Sequence, residues 1–131
     1  MNSSVDIIEI EGVHDALGTE YHSFCMSHTA LYRLAAVLET VTPSNSPLTC
    51  RIGGYTLRFD AGRRERGSAG YNSAGDLTLY SNMADLRYLA EHLRAIADQE
   101  ETESVLPHAH LAETYFDASD VVKDIEFYHT L

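Results

Sequence analysis

Cationic side chains are scarce in this chain: nine lysines and arginines face 20 aspartates and glutamates, for a net charge of −11. Such a field repels nucleic acid and anionic membrane, so neither is an expected partner. Cysteine is sparser still, with only Cys25 and Cys50 and no Cys-x-x-Cys spacing. That excludes a zinc ribbon and a thioredoxin-like redox motif, and a disulfide framework normally has more cysteines in a shorter chain. Both are expected as buried free thiols in a reducing compartment. The opening MNSSVDIIEIEGVHD has neither a basic n-region nor a long apolar h-region, so no signal peptide is expected. No apolar run approaches the roughly 18 residues of a membrane span. The expected location is therefore cytoplasmic. Neither a phosphate-cradling glycine motif nor a GxSxG elbow occurs. No cofactor is called for, and the chain is expected not to be an enzyme.

What is present suits one folded domain over residues 1–131, a size that buries roughly two thirds of its unfolded surface. Its charge is segregated. Residues 1–32 carry five acids and no Lys or Arg, the middle through residue 97 has a net charge of +2, and residues 98–131 carry nine acids against Lys123 alone. Acidic ends of this kind attract a basic protein, although net charge also serves simply to keep a soluble protein dispersed.

In residues 79–98, Leu86, Leu89, Ala90, Leu93, Ile96 and Ala97 follow the i, i+3, i+4, i+7 spacing of an amphipathic helix. Asn82 is placed to cap it, with Asp85 in the capping-box position. DLTLYS before it alternates as a strand should. A weaker copy lies 55 positions earlier, in residues 21–41, where Phe24, Ser27, Leu31, Leu34, Ala35, Leu38 and Val41 occupy the matching places. LTCRI and YTLRFD, joined by Gly53-Gly54, read as a hairpin. PHAHLAETYF and DVVKDIEFYHT form a second strand pair, and VDIIEIEGV supplies one strand in front. The expected fold is α+β: a two-layer sandwich with both helices on one face of a mainly antiparallel sheet, built as a tandem β-α-β-β repeat. Any short amphipathic helix shares the helical spacing, so chance likeness accounts for the repeat equally well. Residues 61–75, AGRRERGSAGYNSAG, read as a mobile loop whose Arg63, Arg64 and Arg66 are solvated charges.

His108 and His110 stand two apart, which on a strand places both imidazoles on one face. They invite comparison with a metal site, yet catalytic zinc takes three protein ligands, and no spacing brings His14, His22, Cys25, His28, His92 or His129 to them. No metal is therefore expected. With Ala109 and Leu111 turned toward the helices, the imidazoles would line the open side of the sheet, among tyrosines and acids. A small metal-dependent enzyme built on the two histidines, or a ligand-binding or structural dimer module, are the alternatives to a protein-binding role.

LTLYSN, ADLRYLAEHLRAIAD, a polar loop and HAHLAE, closed by a short apolar strand, together resemble the immunity protein 32 family of bacterial polymorphic toxin systems over roughly residues 76–128. The resemblance implies a small protein that binds and neutralises a cognate toxin domain. Where that toxin is a nuclease, an acidic surface can occupy its phosphate-binding site. Glu100, Glu101, Glu103, Glu113, Asp117, Asp120 and Asp124 are the carboxylates placed to do so, with Tyr115 as an aromatic anchor and Phe116 better suited to the core. Reversing Glu100, Glu101 and Glu103 together should slow partner association at low salt without unfolding the domain. Stopped-flow association rates across a salt series check this.

Overall fold

The computed structural model describes residues 7–63, 66–99 and 106–130. Nine strands and two helices run in the order β1 (Ile8–Ile10), β2 (Val13–Leu17), β3 (Tyr21–Met26), α1 (His28–Leu38), β4 (Leu48–Ile52), β5 (Tyr55–Asp60), β6 (Ser68–Tyr71), β7 (Leu77–Tyr80), α2 (Met83–Asp98), β8 (His108–His110) and β9 (Asp124–His129) among the described residues. The fold is an α+β sandwich. Its strands are divided between two sheets, ordered β1-β4-β5-β7-β6 and β2-β3-β9-β8. Both sheets are mixed, because β1–β4, β5–β7 and β3–β9 pair in parallel while the other neighbours are antiparallel.

The β-α-β-β order does recur, as β3-α1-β4-β5 and β7-α2-β8-β9, and each copy has one more strand in front. Each resulting β-β-α-β-β unit gives its first hairpin to one sheet and its second to the other. Hairpin β2–β3 of the first unit therefore lies beside hairpin β8–β9 of the second, and β4–β5 beside β6–β7. The helices begin alike: Ser27 accepts a hydrogen bond from the Ala30 N–H and Asn82 from the Asp85 N–H, each cap being worth about 1 kcal/mol.

One apolar cluster joins the layers. Leu31, Leu34 and Leu38 of α1 and Leu86, Leu89 and Leu93 of α2 are fully buried with Phe24, Phe59, Leu79, Ile125 and Phe127 from the two sheets. Each such side chain contributes about 1.5–3 kcal/mol through its burial. Arg87 bridges the helices, its Nη1 donating to the Leu38 and Val41 carbonyls. It thereby ties the end of α1, and the residues just after it, to α2.

Two elements differ from the sequence expectation. VDIIEIEGV does not form one strand: β1 and β2 belong to different sheets, and the chain changes sheets at Gly12, where a Cβ would lie 2.9 Å from Ile52 Cγ2. The glycine- and arginine-rich segment is not a loop throughout, since β6 forms the edge of its sheet against β7. Gly67 allows this approach, because a Cβ there would lie 2.3 Å from the Tyr115 carbonyl oxygen and 2.7 Å from that of Tyr80. Arg66 completes the junction by donating from Nε to Asp117 and from Nη2 to the Glu113 carbonyl. Gly67→Ala should therefore cost about 1–3 kcal/mol, the range for forcing atoms into filled space. Gly70→Ala, where a Cβ meets nothing within 4 Å, serves as the control in the same urea-denaturation measurement and should cost well under that.

Candidate functional site

Strand pleating sorts the second sheet into two faces. Phe24, Met26, Ala109, Ile125 and Phe127 point into the core. The opposite face carries Val13, Asp15 and Leu17 from β2, Tyr21, Ser23 and Cys25 from β3, Asp124, Glu126 and Tyr128 from β9, and His108 and His110 from β8, with register pairs Leu17–Tyr21, Tyr21–Asp124, Ser23–Glu126 and His110–Glu126. The imidazoles thus stand on the face away from the core, among tyrosines and acids, as their spacing on a strand implies.

This face has an apolar end and a polar end. Leu17 is 75% exposed, Val13 63% and Tyr21 41%, while a shallow groove of about 310 Å³ runs between Asp15, Tyr21, Ser23, Glu126 and Tyr128. At the polar end His110 Nδ1 lies 2.7 Å from Asp124 Oδ2, and His108 stacks on Tyr128 with ring centroids 5.2 Å apart. The Tyr128 hydroxyl donates to Glu126, which pushes its pKa up to about 12. Cys25 has its pKa raised, by burial and then by the nearby Asp15 carboxylate. Its thiol is held in the unreactive protonated form, the opposite of what a nucleophile needs.

Behind β2 and β3 lies a second, largely enclosed histidine cluster. His22 Nε2 faces two oxygens, the Thr19 carbonyl at 3.2 Å and the Tyr71 hydroxyl at 2.7 Å. A carbonyl only accepts, so Nε2 carries the proton, and in the neutral ring Nδ1 accepts from His14 Nε2–H at 3.0 Å. His14 stacks on Tyr55 at 3.7 Å between centroids. Burial lowers both histidine pKa values, with repulsion between the two rings adding to the effect at His14 and Asp15 opposing it. This cluster is a neutral brace between the two sheets.

The sequence-derived contact residues do not gather in one place. Glu100, Glu101 and Glu103 lie outside the described residues. Asp117 and the backbone of Glu113 are engaged by Arg66, and Asp120 is exposed in the connection between β8 and β9. Asp124 stands on the open face but is partly buried, its Oδ1 accepting from the Ala112 and Ile125 N–H groups. Tyr115 is only 1% exposed and packs near Tyr88 and His92, which removes it from the accessible surface as an anchor. Phe116 is fully buried. The reason is the tight turn around Glu113, whose positive φ of 67° folds Tyr115 and Phe116 inward instead of continuing the strand. Val13, Asp15, Leu17 and Tyr21 escaped the sequence reading. Their signal was the alternation of Val13, Asp15 and Leu17 ahead of Gly18, a turn glycine with φ of 66°.

Comparison of the chain with family models, curated proteins and solved structures finds no match.

His14 and His22 set a direction for stability against pH. Their folded pKa values lie below the unfolded value of about 6.5, so the unfolded chain binds more protons as pH falls through that region. Stability should be fully present above about pH 6.5 and decline below it, by at most about 1.4 kcal/mol per pH unit for each group. Half-buried His92, also lowered, acts in the same direction. Urea unfolding from pH 7.5 to 5 should show this slope, and His14→Phe should reduce it.

Proposed function

We propose that this protein is a non-enzymatic immunity protein that neutralises a cognate bacterial toxin domain, and that the open face of the β2-β3-β9-β8 sheet forms the contact. The observation that carries the reading is the exposed strip of Val13, Leu17 and Tyr21 beside Asp15, Glu126 and Asp124. Large apolar side chains side by side in water, bordered by polar groups, suit a protein interface. The net charge of −11 favours a basic partner and speeds its approach. The resemblance of residues 76–128 to an immunity family points the same way.

The groove between the helices does not offer a better reading. It is lined by Tyr32, Glu39, Arg87, Arg94 and Asp98, but its groups bind each other. Arg94 forms a two-pronged bond to Glu39, and Asp98 accepts from the Tyr32 hydroxyl and lies 3.0 Å from His28 Nε2. These contacts brace α1 against α2. No described helix is long and apolar enough to cross a membrane.

Co-expression with the protein encoded in the adjacent upstream reading frame tests the reading. A tight complex and rescue of growth are the expected result, and absence of both would remove it. Within such a complex, Leu17→Asp combined with Tyr21→Ala should weaken binding by about 30-fold or more, as loss of an interface anchor worth about 2 kcal/mol does. Leu17 is 75% exposed and Tyr21 lies outside the core cluster, so the free variant should still unfold cooperatively in a thermal melt, and calorimetric titration reads the affinity.

A further inference from the structure

We propose that the β8–β9 hairpin carries a divalent-cation site, with His110 Nδ1, Asp124 Oδ2 and Glu126 Oε1 as its ligands and a zinc-class transition ion as its occupant. His108 and His110 suggest a metal by their spacing, but the partners that fit His110 are on the neighbouring strand. His110 pairs in register with Glu126, and Asp124 follows two residues away on the same face. The three ligand atoms lie within 4.8 Å of one another. His110 Nδ1 is 2.7 Å from Asp124 Oδ2 and 3.6 Å from Glu126 Oε1. With metal–ligand bonds of about 2.1 Å in a tetrahedral site, neighbouring donors stand about 3.4 Å apart, so small side-chain adjustments bring all three to one ion.

Each carboxylate is held by its far oxygen. Asp124 Oδ1 accepts from the Ala112 and Ile125 N–H groups, and Glu126 Oε2 from the Tyr128 hydroxyl. Fixing one oxygen in this way aims the other at the shared point, which is the role outer-shell partners play around metals. With its ring neutral, His110 leaves the cluster with two negative charges and one nitrogen donor, a set that suits a borderline divalent ion more than calcium or magnesium. Binding requires an unprotonated Nδ1, so the ring takes its Nε2–H form, or gives up a proton to solvent, as the ion enters. His110 is about half exposed, which leaves the site open to solvent and able to take water as a further ligand.

The test uses the full chain after chelator treatment, titrated with zinc chloride by calorimetry and with cobalt(II) by visible absorption. The expected result is one ion per chain and a rise in the unfolding temperature on adding zinc. His110→Ala, Asp124→Asn and Glu126→Gln should each lower zinc affinity at least tenfold, while His108→Ala changes it less than threefold. Asp124→Asn keeps an oxygen for the two backbone N–H groups, so circular dichroism should show it folded. Absence of saturable binding would overturn the proposal. So would binding lost in His108→Ala but retained in Asp124→Asn and Glu126→Gln. No partner protein enters these measurements, so their outcome is separate from that of the toxin-neutralising reading.

Discussion

The parallel pairing of β3 with β9 joins the beginning of the chain to its end, and the rest of the architecture depends on it. Tyr21 lies opposite Asp124 and Met26 opposite His129, so this ladder closes only after almost the whole chain has been laid down. Its counterpart, β5 against β7, joins the two units in the other sheet. Neither β-β-α-β-β unit completes a sheet alone, because each sends one hairpin to either side. In each unit the helix connects the two hairpins in sequence, and its apolar stripe is buried in one cluster with the other helix and with Phe24, Phe59, Ile125 and Phe127. Such long-range pairing is entropically costly to form, and the large shared core is what offsets it.

The same exchange constructs the candidate surface. Leu17 and Tyr21 come from the first unit and Asp124, Glu126 and His110 from the second, yet they share one face because β3 and β9 lie side by side. The core-facing residues of these strands fix the pleat, and the pleat fixes which residues face outward. A shift of one residue in the β3–β9 register would bury Glu126 and expose Phe127. Core and surface are therefore specified by one constraint, and the firmness of the hydrophobic face is what makes the polar face a defined arrangement.

Electrostatics are likewise settled locally. Part of the chain's acidity is answered at short range: Arg66 holds Asp117, Arg51 meets Glu9 at 2.8 Å, and Lys123 approaches Glu20 at 3.7 Å. Exposed pairs of this kind contribute at most about 1 kcal/mol each, so their main effect is on the shape of the field. All three contacts lie between segments far apart in sequence, which a segment-by-segment charge count does not anticipate.

The sequence by itself determined the local elements. The helical stripes, the Ser27 and Asn82 caps, the Gly53-Gly54 hairpin and the outward imidazoles of His108 and His110 all follow from periodicity and from side-chain bonds to nearby backbone, which are properties of neighbouring residues. Only the tertiary structure decided that the strands divide between two sheets, that Ser68–Tyr71 forms an edge strand, that Tyr115 is buried, and that His110 meets Asp124 and Glu126. These outcomes rest on pairing and packing between residues from 6 to more than 100 positions apart. No periodicity encodes such pairings, because their free energy exists only once both surfaces have been brought together.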